Sequence, residues 1–127
     1  MPRNRLLRMV AVPVAMAALL VGCGDGGEDG GGPAGAGTLT VVGTEMAFAA
    51  PGSVPAGDYE VTFRNEGKVY HELAFKDPSG RFVTRRSIAA GKQVTMEVSL
   101  DQPGTWELGC FEPGHYEAGM YRSLEVG

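Results

Sequence analysis

Cysteine and histidine are scarce in this 127-residue chain, with two of each: Cys23, Cys110, His71 and His115. No Cys-x-x-Cys pair is present, so the usual mark of a structural zinc site is missing. No Cys-x-x-Cys-His is present either, which excludes a c-type haem attachment. There is no His-rich or Met-rich tract; storage of many metal ions is excluded, while a single site is not. The longest apolar run, Met9 to Val21, has thirteen residues and is broken by Pro13, short of the ~20 residues that span a bilayer. No internal repeat is visible. Basic residues are outnumbered, 11 Lys+Arg against 15 Asp+Glu, which argues against a nucleic-acid partner.

What basic charge there is begins at the N-terminus. Arg3, Arg5 and Arg8 precede the apolar run, and Leu20-Val21-Gly22-Cys23 follows it. A basic segment, a short apolar segment and small residues describe a secretory signal, and the Leu-Val-Gly-Cys ending resembles a bacterial lipobox. Residues 1–22 are therefore expected to be a lipoprotein signal peptide, with a diacylglycerol on Cys23 that anchors the chain to the outer face of the membrane or in the periplasm. Removal of the three arginines leaves 8 Lys+Arg against 15 Asp+Glu, a net charge of −7. A Cys23–Cys110 disulfide is the alternative in an oxidising compartment. With lipid on Cys23, Cys110 has no partner in the chain, and a metal bond would protect its thiol from oxidation.

Gly24 to Gly37 holds eight glycines in fourteen residues. Residues 23–37 read as a disordered linker with a reach of roughly 20 Å. A phosphate-binding loop is excluded, because no strand precedes these glycines and no helix follows them. Residues 38–127 suffice for one domain with one core. Their pattern is alternation of period two. Strands are expected over Thr38–Val42, Tyr59–Asn65, Val69–Phe75, Val94–Leu100, Thr105–Cys110 and Tyr121–Val126, with turn residues at 55–58, 65–67, 77–80, 90–91 and 102–104. Arg81–Thr84 is a further candidate strand, and Arg85–Ile88 reads as a loop or a short turn of helix. Such a run of short strands indicates an all-β antiparallel sandwich or barrel.

The chemistry is concentrated in Cys110-Phe-Glu-Pro-Gly-His-Tyr-Glu-Ala-Gly-Met120, where a thiol, an imidazole and a thioether follow one another at intervals of five. Alternation points His71 inward with Val69, Leu73 and Phe75, and Cys110 inward with Trp106 and Leu108. Each residue has an ordinary reading: a hydrogen-bonded core histidine, a small buried cysteine, and a methionine filling space as Met46 and Met96 would. Together they use both histidines and the one available cysteine in a single set. Two imidazoles, a thiolate and a weak axial thioether suit mononuclear copper in both oxidation states. His71, Cys110, His115 and Met120 are the expected ligands, with Trp106, Leu108 and Phe111 keeping water from the sulfur. A Cys–His nucleophile would need an orienting group and an oxyanion hole, neither of which is recognisable, so an enzyme is not expected.

These residues, together with Pro103-Gly104-Thr105-Trp106 and Val69-Tyr70-His71-Glu72-Leu73, resemble the type 1 blue copper proteins of the plastocyanin–azurin (cupredoxin) family. The resemblance implies a Greek-key β-sandwich of about seven to eight strands. It implies copper at one end, held by His71, Cys110 and His115 with Met120 axial, and an electron path through the exposed edge of His115. A monomeric one-electron carrier between redox partner proteins is the implied role. Exported cupredoxins linked to copper tolerance share the His-Glu and Pro-Gly-His-Tyr-Glu-Ala-Gly-Met features, which makes copper binding without an obligatory redox partner the alternative. Two positions depart from the electron-transfer pattern: Glu72 stands where an asparagine often ties the ligand loops together, and Phe111 where Ser or Thr is common. That side-chain lock is expected to be missing, leaving a looser or spectroscopically altered site.

Overall fold

Alternation becomes burial wherever a strand has one face on the core. The computed structural model describes residues 37–127; the expected signal peptide, the expected lipidation site Cys23 and the expected linker as far as residue 36 lie outside them. Gly37, placed in the linker by composition, opens strand β1 (Gly37–Thr44), which buries Leu39 and Val41. Strand β4 (Gly57–Asn65) buries Tyr59, Val61 and Phe63, and β7 (Gln93–Leu100) buries Val98 and Leu100. These three form a sheet in the order β2-β1-β4-β7, in which β2 (Ala47–Ala49) is a short outer strand. β1 and β4 are parallel, and the other pairs are antiparallel.

The second sheet has the order β3-β9-β8-β5-β6. It is built from β3 (Ser53–Val54), β5 (His71–Lys76), β6 (Phe82–Ile88), β8 (Gly104–Gly109) and β9 (Tyr121–Val126). Leu73, Phe75, Trp106, Leu108, Leu124 and Val126 face the first sheet across a common core. The chain passes repeatedly from one sheet to the other, and the result is the expected all-β Greek-key sandwich with no helix among the described residues.

Three local expectations change. There are nine strands among the described residues rather than seven to eight, because β2 and β3 span only three and two residues. β6 runs unbroken through Arg85–Ile88, where a loop or helical turn was expected. It is an edge strand with no buried residue, so its sequence carries no alternation, and its arginines suit an edge that must not pair with another chain. β5 begins at His71 rather than Val69, and Val69 is exposed, so the expected inward row starts one pair later. Met46 packs against the core as expected but stays partly buried, in a left-handed conformation (φ 56°) in the β1–β2 turn.

The turn that sends β5 into β6 is organised by Asp77. Its Oδ1 accepts from the Ser79 hydroxyl, the Ser79 N–H (2.9 Å) and the Arg81 N–H (3.0 Å), and its Oδ2 accepts from Arg81 Nε (3.1 Å). The Ser79 hydroxyl is the main cause that holds this carboxyl down to about 2; burial opposes it, and the Arg81 and Ser79 groups add to the lowering. A folded value below the ordinary carboxylate value of about 3.9 means stabilisation present above about pH 4 and lost as pH falls through 2. Asp77→Asn is therefore expected to lower the thermal unfolding midpoint at pH 7, and the difference from wild type should vanish near pH 2.

Candidate metal centre

Register decides which distant residues meet. β5 and β8 are antiparallel with Ala74 opposite Gly109, so the start of β5 lies beside the end of β8. His71 is the first residue of β5, and Cys110 follows the last residue of β8. The connection from β8 to β9 then closes on itself. Cys110 N–H donates to Met120 O (3.0 Å), His115 N–H to Glu112 O (2.9 Å) and Met120 N–H to His115 O (3.0 Å). Gly114 (φ 81°) and Gly119 (φ 96°) supply the left-handed turns that this closure requires.

The result is a convergence of donor atoms at one end of the sandwich. His71 Nδ1 is 3.2 Å from His115 Nδ1, and Cys110 Sγ is 3.3 Å from His115 Nδ1. One ligand atom from each of the three residues lies within 4.8 Å of the others. His71 and Cys110 are fully buried, while His115 is half-buried and presents an edge to solvent. Met120, the fourth expected donor, is fully buried at the end of the same loop, with its methyl group 3.6 Å from where a Cβ on Gly43 of β1 would stand. Three of the four expected residues are thus gathered directly, and the fourth is bonded to two of them through its backbone.

Burial favours the uncharged forms of His71 and Cys110. Burial is the main cause that lowers the His71 imidazole, and His115 lowers it further; Glu45 and Glu112 act the other way. Burial likewise raises the Cys110 thiol, against the backbone N–H groups of Glu72 and Glu112, which favour the thiolate. Two Nδ1 atoms facing each other can share at most one proton along their line. Nε2 of His71 has no hydrogen-bond partner at all. Two converging Nδ1 atoms beside a buried sulfur fit a cation that binds neutral imidazole and a thiolate, and that cation's own charge would reverse the burial effect on the thiol. The soft sulfur with two imidazoles selects copper over harder ions.

The surroundings include residues that sequence reasoning did not assign to the site. Asn65 is buried: its Nδ2 donates to Val69 O (2.8 Å) and Ile88 O (3.0 Å), and its Oδ1 accepts from Gly67 N–H (2.9 Å). It thereby fixes the loop that leads into His71. Asn-Glu-Gly reads as a turn from sequence, and an Asx turn was the available signal. Gly67 lies against the imidazole, and a Cβ there would stand 2.5 Å from His71 Nε2. Glu72 donates its backbone N–H to Cys110 Sγ (3.3 Å), while its carboxylate turns away to Arg85 (2.9 Å). The expected absence of a lock from the Glu72 side chain is thus observed, although Ser87 of β6 hydrogen-bonds Glu112 of the ligand loop.

Two of the three shielding residues stand elsewhere. Trp106 lies four residues back along β8, about 13 Å from Cys110 at ~3.3 Å per residue, with its indole N–H on Gln102 O (2.7 Å). Phe111 packs over Gly109 on the outer face of the sheet rather than on the core side of the sulfur.

Gly67→Ala is expected to push the His71 imidazole out of line and to weaken metal binding by roughly 10–100-fold, the range for groups that orient a ligand. Competition titration against a chelator would measure the loss, and circular dichroism should show the sandwich intact.

No family model matches the chain, and no curated protein matches it. Solved structures do. Dithionite-reduced auracyanin from the photosynthetic bacterium Roseiflexus castenholzii superposes with a TM-score of 0.60 at 18% identity, over 76% of this chain and 99% of that one. Auracyanin A, a "blue" copper protein from the green thermophilic photosynthetic bacterium Chloroflexus aurantiacus, gives 0.57 at 22% identity over 73% and 100%. Reduced rusticyanin gives 0.56 at 20% identity over 78% and 89%. At these identities the likeness establishes architecture: the described domain has the cupredoxin fold, with its His–Cys–His cluster at one end of the sandwich.

Proposed function

We propose that this protein binds one type 1 copper, which His71, Cys110 and His115 would hold with Met120 as a fourth, weaker donor, and carries single electrons between redox partner proteins. The observation that carries the reading is the convergence of two imidazole Nδ1 atoms and one thiol within 4.8 Å in a site where two of the three residues are fully buried. When bound, copper supplies a Cu(II)/Cu(I) couple. The protein's residues do the rest. The closed loop from Cys110 to Met120 and the strand start at His71 hold the donors in one arrangement, so little reorganisation accompanies a change of charge. Burial of Cys110 and His71 excludes water, and the half-exposed His115 offers an edge to a partner.

Location is part of the same proposal. Cys23 would carry a diacylglycerol, whose two acyl chains suffice for stable anchoring. Residues 24–36 would let the domain swing locally between partners on the membrane. A mature net charge of −7 favours basic partner surfaces, and the domain is proposed to act as a monomer rather than as an enzyme.

Loading the signal-free protein with Cu(II) should give an intense thiolate-to-copper band at one copper per chain, abolished in Cys110→Ser. No band at that stoichiometry would overturn the type 1 site. Fast electron self-exchange supports the carrier; slow exchange together with copper sensitivity of a deletion strain would replace it with copper binding for tolerance. Lipidation is checked by the mass of the N-terminal peptide from membranes, which should revert to that of an unmodified chain in Cys23→Ala.

A further inference from the structure

The outer face of the second sheet carries a second packed layer. Opposite the core, at the ligand end, Arg85, Ala74, Gly109 and Tyr121 form one row across β6, β5, β8 and β9. The two central members are the smallest residues available, yet both are buried. What covers Gly109 is the ligand loop. After Cys110 the chain turns outward, and the rings of Phe111 and Tyr116 stack on each other with centroids 4.7 Å apart at 18°. Tyr116 stacks in turn on Tyr121 (4.8 Å, 28°), and Phe82 meets Phe111 edge-on (5.1 Å, 85°).

Two cations and two carboxylates frame this layer. Lys76 Nζ lies 4.6 Å from the Phe111 ring centre, 5.0 Å from that of Phe82 and 5.2 Å from that of Tyr116, and it pairs with Glu107 at 3.2 Å. Tyr116 donates its hydroxyl to the same Glu107 (3.1 Å). Arg85, held by Glu72, lies 4.6 Å from the Phe82 ring centre. Phe111 directly follows the ligand Cys110, and Tyr116 directly follows the ligand His115. Stacking of the second residue of each pair therefore limits how far apart the first residues can stand, because adjacent Cα atoms are held about 3.8 Å apart.

We infer that this exterior aromatic layer positions the Cys110–His115 segment, and that Phe111 and Tyr116 are its positioning residues, replacing the side-chain lock that Glu72 does not make. Gly109 is the floor that admits it: a Cβ there would stand 2.7 Å from Phe111 Cε2 and 3.0 Å from its Cζ. The layer lies outside the main core, so its loss leaves the sandwich its own buried contacts. The inference rests on the proposed ligand roles of Cys110 and His115, and it has a readout that needs no copper.

In the full-length protein without metal, alkylation of the buried Cys110, read on its peptide by mass, reports opening of the loop. Phe111→Ala, Gly109→Ala and Tyr116→Ala are each expected to raise that rate about tenfold or more, as local opening rather than global unfolding. In the copper-loaded protein they should change the ratio of the thiolate-to-copper bands and the copper hyperfine splitting. Tyr116→Phe, which keeps the ring and removes only the hydroxyl, should return both readouts toward wild type. A lowered unfolding midpoint with unchanged alkylation and unchanged bands would overturn the inference, because the layer would then only add stability. If the unsubstituted protein shows no thiolate band, the copper reading falls and the alkylation rates alone decide. Should an alanine variant fail to fold, Phe111→Leu, which removes the stacking but keeps bulk, decides by the same two measures.

Discussion

Two imidazole nitrogens and a sulfur stand within 4.8 Å of one another at one end of this sandwich, and the far nitrogen of the His71 ring, Nε2, is buried with no hydrogen-bond partner among the described residues. Buried polar groups left without partners are costly, and the surrounding structure is arranged to sustain that cost. The β8–β9 loop closes through the Cys110–Met120 and Met120–His115 backbone bonds. Asn65 binds the β4–β5 loop to Val69 and Ile88. Gly67 lies where any side chain would strike the imidazole. Each device limits the freedom of a donor without itself offering a ligand.

These constraints divide the molecule into two packed regions. The main core between the sheets, with Phe63, Phe75, Trp106 and Leu124, gives the domain its stability and takes in two of the donor residues, Cys110 and Met120. The exterior layer of Phe111, Tyr116 and Tyr121 is smaller and half-exposed, and it touches the ligand loop directly. Edge strand β6 connects the two halves of the site. Its Arg85 pairs with Glu72 next to His71, and its Ser87 binds Glu112 two residues beyond Cys110. A strand with no fully buried residue thereby acquires a role in holding the centre together.

The elements that sequence reading placed correctly are those with a buried face and a clear period. Tyr59–Asn65, Val94–Leu100 and Tyr121–Val126 fall within or match observed strands. The first half of β6 is legible as a strand, whereas Arg85–Ile88 is not, because an edge strand lacks the burial that writes alternation into a sequence. Val69 was drawn into β5 by its chemistry, although the Asn65 side chain holds Val69 O in a loop instead. Phe111 covers Gly109 instead of the core side of the sulfur, and hydrophobicity alone does not say which face of a sheet a ring will cover.

The identity of the donors was determined by sequence. Only two histidines and one cysteine were available to the domain, and the five-residue intervals from Cys110 to His115 to Met120 put three candidates in one loop. Tertiary structure decided how the fourth joins them and what steadies them all. His71 reaches Cys110 because Ala74 pairs with Gly109 in an antiparallel ladder, and a register between strands far apart in the chain is not written in either strand alone. Gly67 and Gly109 gained meaning in the same way. A missing Cβ is informative only once the ring that occupies its place is known, His71 in one case and Phe111 in the other.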